Sequence, residues 1–418
     1  MRKNYLTAAL LGLAGSLLLL TTACQENEAV PENNTPNLRP LSAQELKTVQ
    51  SANTFAFRSF AEVSQLMGET NVFISPFSIS SALAMTYNGA DGATKEAIKQ
   101  TLGFAEATDD DLNQSYKSLM GLLTGLDKKV EFTSANSMWL NNQYTLEAPF
   151  VNTNQTYFDA TLKALDFSSP KAKDEINNWV KDKTKGKIPS IVDQVTSDHL
   201  LFLVNAIYFK GTWTYYFDKQ LTKDRPFRLE SGGSVSHPFM TLNSGKYLVY
   251  RDNSKLLIDL PYGNKQFSMT LLMPQEQHTV QEVVSQLSAS NLENWLTSAD
   301  SSSAPLIMPT FKLSLKYEDE MKQMLRNLGM GIAFGRDADL SRITKGRQIS
   351  ISEVNHKTFL EVNEAGTEAA AATSVGFIAT SATPAPPPPF LLDKPFVFLI
   401  REKSSNAILF IGKLMRPE

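Results

Sequence analysis

Four histidines (His199, His237, His278 and His356), a single cysteine (Cys24) and a run of small side chains from Glu364 to Thr373 are the residues here whose type and spacing bear on chemistry. No two histidines stand at metal-ligand spacing, and the chain has no HExxH, CxxC, GxSxG or GxxxxGK[ST] pattern. A hydrolase needs a nucleophile, a base and an orienting group within reach of one another. No local motif supplies that set, and no metal or cofactor is implied. The Lys-rich stretch Lys171 to Lys187 also carries Asp174, Glu175 and Asp182, so it reads as a solvated helix face and not as a phosphate or glycan site.

The run Glu364-Ala-Gly-Thr-Glu-Ala-Ala-Ala-Ala-Thr373 points elsewhere. Small side chains let a segment slide between neighbours without overpacking them. With a period of two, Thr367, Ala369, Ala371, Thr373, Val375 and Phe377 share one face, and Glu368, Ala370, Ala372, Ser374 and Gly376 share the other. The first face suits burial in a sheet and the second tolerates solvent. From these residues alone, an alanine-rich helix end or a solvated linker stays open, because alanine is the best helix former.

Any such segment needs a body to move against. The chain has 418 residues, enough for one large domain or two ordinary ones, with the hydrophobic (42%) and charged (20%) fractions of a globular protein. A net charge of −3 argues against a nucleic-acid partner. Residues 1–23 read as a cleaved targeting segment, with Arg2 and Lys3 before the apolar run Leu6 to Leu20. Cys24 follows immediately, which resembles the lipobox of bacterial lipoproteins, where the cysteine becomes the lipidated N-terminus. Leu20 stands one position further from the cysteine than is usual. Gln25, Glu26 and Glu28 resemble signals that send lipoproteins to the outer surface, so an outer-membrane, surface-exposed or else periplasmic protein is expected. Residues 24–41 read as a flexible tether.

From Ser42 to Glu418 no linker or repeat divides the chain before residue 380, so one domain is expected. Ser42 caps a long amphipathic helix to Leu66, with Leu46, Val49, Phe55, Ala56 and Phe60 inward. Ser78 to Tyr87 is an apolar helix buried all round. Lys95 to Leu102, Asp110 to Leu123, Asp174 to Lys185 and Asp319 to Leu328 are further helices, the third with Ile176, Trp179 and Val180 inward. Leu200 to Phe209 is apolar, branched and aromatic, so it is a central strand covered on both faces. Strands are also expected over Val72 to Ile74, Phe132 to Trp139, Ala160 to Asp166, four stretches between Phe227 and Met273, Pro309 to Leu315, Phe359 to Asn363, Phe396 to Arg401 and Ala407 to Leu414. The class is α+β with a large mixed sheet.

Several segments together resemble the serpin family over about residues 46–416. They are Asn71-Val-Phe-Ile-Ser-Pro-Phe-Ser-Ile-Ser80, Gly89-Ala-Asp-Gly-Ala-Thr94, Asn178-Trp-Val-Lys-Asp-Lys-Thr184, Val204-Asn-Ala-Ile-Tyr-Phe-Lys-Gly-Thr-Trp213, Pro309-Thr-Phe311, Phe359-Leu-Glu-Val-Asn-Glu-Ala-Gly-Thr-Glu368 and Lys394-Pro-Phe-Val-Phe398. The resemblance implies a large mixed sheet, two further sheets, about eight or nine helices and an exposed reactive-centre loop near residues 364–393, on a monomer. It implies irreversible suicide inhibition of a serine protease. The protease attacks the loop, is held as an acyl-enzyme, and is carried away as the cut loop enters the main sheet; serpin insertion is itself a standard instance of strand addition. Moving ~14 residues at ~3.4 Å each displaces the bait by roughly 50 Å. About ten new ladder hydrogen bonds, each worth ~0.5–1.5 kcal/mol, give about 5–15 kcal/mol.

The resemblance also assigns residues. Glu364, Gly366, Thr367, Glu368 and Ala369 to Ala372 match an inhibitory hinge, with Thr367 first into the sheet. Family spacing, sixteen positions beyond Glu364, sets the scissile bond at Thr380–Ser381, with Phe377, Ile378 and Ala379 shaping specificity. A small β-branched residue at the bond implies an elastase-like target; Phe377 or Ile378 would serve a chymotrypsin-like or cysteine protease. Ser75, Asn205 and His356 match positions where the sheet opens, and Trp213 one near its mouth. Thr383-Pro-Ala-Pro-Pro-Pro-Pro-Phe390 departs from the family by lengthening the return arm, which polyproline stiffens. That arm keeps a non-inhibitory, serpin-like binding protein as the alternative.

Overall fold

The computed structural model describes residues 38–104, 107–345, 348–367 and 387–418. Among them are nine α-helices and three sheets of six, seven and four strands. Cys24, Glu368, Ala369, Ala370, Ala371, Ala372, Phe377, Ile378, Ala379, Thr380 and Ser381 lie outside the described residues.

The helix Ala43–Met67 begins at a full capping box, with the Ser42 side chain accepting from the Glu45 amide and Glu45 from the Ser42 amide. Its inner face carries Val49, Phe55, Ala56 and Phe60, but Leu46 is 46% exposed. The apolar stripe is narrower than the sequence implies, because Leu46 falls at its edge. Pro76–Gly89 is buried at all but one of its residues, in accord with its apolar composition, and starts two residues early because Pro76 suits a first helical turn.

The six-stranded sheet carries the site. Its order is Phe311–Tyr317, Glu353–Asn363, Gly366–Thr367, Leu201–Thr212, Val130–Asn141, Thr161–Leu165. The Leu201–Thr212 strand is buried from Leu201 to Phe209, as both covered faces require. On one face lies the helix Lys171–Lys183, with Ile176 and Val180 packed on Trp139, Phe202 and Val204. Trp179, expected inward, is only half-buried at that margin. On the other face lies the helix Pro76–Gly89 with the main apolar core, and the helix Ala43–Met67 packs in turn on Pro76–Gly89.

The stretch Pro309 to Leu315 is not one strand. It divides at Thr310 into Leu306–Pro309 of the four-stranded sheet and Phe311–Tyr317 of the six-stranded one. Both pieces alternate or stay apolar, so hydrophobicity gives no sign of the change of sheet.

Candidate functional site at the opening of the main sheet

The Asn205 strand (Leu201–Thr212) and the His356 strand (Glu353–Asn363) run parallel. They pair directly from Glu353↔Phe202 to Lys357↔Ala206, and there the direct pairing stops. Further up, Gly366 and Thr367 sit between them. Thr367 pairs with Val362 and Gly211, and Gly366 with Asn363 and Thr212. Positions 358–361 and 207–210 thus face one another with no register pairing, a slot closed below and stoppered above.

The upper stopper is built from distant parts of the chain. The Trp213 amide donates to the Ala365 carbonyl (3.0 Å), and its indole donates to the Asn363 carbonyl (2.9 Å). The indole stacks on Tyr262 at 4.3 Å between centroids and 9° between planes. The Tyr262 hydroxyl lies 2.6 Å from Thr367 Oγ1, and Thr367 is 1% exposed. Burial pushes the Tyr262 phenol well up, so it stays neutral and able to donate. The Phe217 amide donates to the Glu364 carbonyl (3.1 Å), and the Thr222 hydroxyl donates to the Glu364 carboxylate (2.6 Å).

Gly366 has φ of +147°, and a Cβ there would collide with the Gly211 carbonyl and the Thr212 Cα. Only glycine permits that backbone approach. Glu364, Gly366 and Thr367 therefore come together with Trp213 at the top of the sheet. Sequence reasoning missed Tyr262 and Thr222, and their neighbourhoods carry no local signal for this role.

The lower closure is polar. His356 and Asn205 are register partners at the centre of the direct pairing, and both are buried. The Ser75 amide donates to His356 Nε2 (3.0 Å), so that nitrogen carries no proton. Burial pulls the His356 imidazole down to about 3, which keeps it neutral. Asn205 donates to Asn136 Oδ1 (2.6 Å), and Asn136 donates to the Ser81 hydroxyl (3.0 Å). Tyr317 accepts from the Phe73 amide, and Thr358 donates to the Phe73 carbonyl. Ser75 itself caps the helix Pro76–Gly89 and donates its hydroxyl to the Leu409 carbonyl.

Two atoms at this centre, His356 Nδ1 and Asn205 Oδ1, are buried without a hydrogen-bond partner among the described residues. Such groups are costly in isolation, at about 1–3 kcal/mol each. Ser75, Asn205 and His356 are therefore brought to one locus, while Trp213 serves the upper stopper. His199, His237 and His278 lie elsewhere, and no group of three or more metal-binding side chains occurs among the described residues. Nothing in this geometry resembles a nucleophile with its base.

The comparisons with known proteins decide the family. A profile described as Serpin (serine protease inhibitor) matches residues 50–417. The chain belongs to the serpin family. Leukocyte elastase inhibitor of Bos taurus is 36% identical over 384 residues, spanning 89% of this chain and 100% of that protein. A serpin-like protein of Methanosarcina mazei is 32% identical, spanning 97% of each chain. Among solved structures, the thermophilic serpin Tengpin in the native state superposes with a TM-score of 0.80 at 28% identity, covering 92% of this serpin and 97% of that chain. Human thyroxine-binding globulin complexed with its ligand gives 0.82 at 28% identity, covering 90% and 100%. The serpin fold, α+β with a large mixed sheet, is thus shown, and the coarse activity is protease inhibition and not catalysis.

Proposed function

We propose that this serpin traps serine proteases irreversibly, with an elastase-like enzyme as the favoured target and Thr380–Ser381 as the bait bond. The observation that carries the reading is the slot between the Asn205 and His356 strands, with the hinge already two residues into it. Gly366 and Thr367 fix a register. Continued downward, that register sets residue 369 against Leu360 and Phe209, and residue 371 against Thr358 and Ile207. Leu360, Thr358 and His356 are among the buried positions of their strand, and Phe359 and Glu361 beside them are not. Ala369, Ala371 and Thr373 are thus the residues that would turn inward, and they are the small ones. Glu368, Ala370 and Ala372 would turn outward. Thr373 would meet His356 and Asn205, where a hydroxyl can satisfy the two orphaned atoms.

Cutting the loop tests this reading. Insertion worth about 5–15 kcal/mol raises the melting temperature of a chain of this size by about 6–19 °C. A cleaved protein that melts where the intact one does contradicts insertion. Thyroxine-binding globulin is among the structural neighbours, which favours a second reading as a non-inhibitory binding protein that is cut as a substrate.

The chain is further proposed to be a bacterial lipoprotein anchored through Cys24 to the outer membrane, after removal of residues 1–23, and to act there as a monomer. The lipobox-like segment and acidic Gln25 to Glu28 stretch support this. Cys24→Ser should release the protein from the membrane fraction; unchanged fractionation contradicts anchoring.

A further inference from the structure

The seam between the Asn205 and His356 strands does not end at its lowest register pair, Glu353↔Phe202. Below that pair the Leu200 amide donates to the Ser352 hydroxyl (3.1 Å), and His199 Nε2 lies 3.0 Å from Glu353 Oε1. The Thr196 amide donates to His199 Nδ1 (3.0 Å), so Nε2 carries the ring proton and donates it to the carboxylate. The other Glu353 oxygen accepts from the Asn355 side chain (3.0 Å), and Asn355 is buried. Phe202, also buried, packs on the imidazole at 4.9 Å between centroids. Ring and carboxylate are thus each held from two sides, unlike a loose pair on an open surface. The two residues stand 154 positions apart and belong to opposite sides of the seam.

The register of Gly366 and Thr367, continued downward, sets this pair in the path of the loop. Residue 373 would meet His356 and Asn205, residue 376 would meet Glu353 and Phe202, and residue 379 would meet Ser350 and His199. A strand that enters between two neighbours moves them from one spacing of ~4.8 Å to two, roughly 10 Å. A hydrogen bond of 3.0 Å across the seam cannot span the added distance, so the contact between His199 and Glu353 is lost on full entry. The polar centre at His356 and Asn205 is passed first. The foot opens last, over the stretch that brings the bait bond down.

We propose that His199 and Glu353 form a latch at the foot of the main sheet. It stabilises the shut seam of the intact protein and has to break before residues 376–380 can enter. This rests on the inhibitory reading above. The contact exists in one state and not in the other, so it acts on the difference between them. It holds the seam of the uncut protein against opening, and it contributes nothing once the loop is in.

The test is a double-mutant cycle of His199→Ala and Glu353→Ala, read as unfolding midpoints in guanidinium chloride. It is run on the intact protein and on the protein cut in its loop. In the intact protein each single variant should lower the midpoint by about 0.2 M, and the double variant by no more than the larger single loss. In the cut protein whatever losses remain should add, because insertion has already parted the pair. Losses that add in the intact protein overturn the latch and leave the inhibitory reading standing. So does a shortfall from additivity that is equal in the two forms. A cut parent that unfolds at the midpoint of the intact parent shows that no strand has entered, and overturns the inhibitory reading and the latch with it.

Discussion

Thr367 and Tyr262, separated by 105 residues in sequence, meet hydroxyl to hydroxyl at 2.6 Å inside the main sheet, and neither is open to solvent. The contact fixes Thr367 against a ring that is itself stacked on Trp213. It holds Gly366 and Thr367 between the two strands, one residue above positions 358–361, which pair with the Phe311–Tyr317 strand but not with the Asn205 strand.

A charge cannot occupy that place. Thr367→Arg would bury an unpaired guanidinium beside Tyr262, at a cost of several kcal/mol. The variant should still be cut by the target but should turn over as a substrate, so that inhibitor consumed per protease rises at least tenfold. Unchanged stoichiometry would show that insertion is not the working step.

Tyr262→Phe keeps the stack on Trp213 and deletes only the hydroxyl. Thr367 then loses its partner, and the intact protein should lose about 1–2 kcal/mol in urea unfolding. A change within a few tenths would mean that the hinge is held by backbone pairing alone.

How much of this was legible in the residues follows from how local each signal is. The capping box at Ser42 and Glu45 and the two-sided burial of Leu201 to Phe209 are written in short windows, and both elements form as read. The helices Ala148–Phe158, Val280–Gln286 and Ala289–Thr297 fall outside the elements expected from the sequence, although Thr279 and Glu282 form a capping box that marks the start of the second. Glu364, Gly366 and Thr367 stand out in the sequence through the small residues that follow them and through family resemblance. Their partners do not. Tyr262 lies at the end of an ordinary apolar strand, and the polar chain from His356 through Ser75 depends on contacts 281 residues apart. Leu46 failed because periodicity gives the direction of a helix face and not its width.

The neutral His356 makes stability depend on pH in a definite sense. Its folded value near 3 lies below the ordinary 6.5, so the folded state disfavours the proton. Its contribution is complete above about pH 6.5 and is lost as pH falls from there toward 3, at about 1.4 kcal/mol per pH unit. His356→Gln, which can still accept from the Ser75 amide, should flatten that slope in denaturant titrations between pH 6.5 and 4. A slope unchanged by the substitution would assign it to other groups.

Within the seven-stranded sheet, Arg401 and Asp259 form an ion pair at 3.0 Å, with both side chains almost wholly buried. Asp259→Ala strands the guanidinium, and the expected loss is about 3–5 kcal/mol, read as a lower urea midpoint. A loss under 1 kcal/mol would mean that water reaches the pair.

The most direct test of the central claim is incubation of the mature domain with pancreatic or neutrophil elastase, followed by a denaturing gel and mass spectrometry. The account predicts a covalent adduct that survives denaturation, together with a C-terminal peptide beginning at Ser381. Clipping without adduct, repeated across a panel of serine and cysteine proteases, would contradict it.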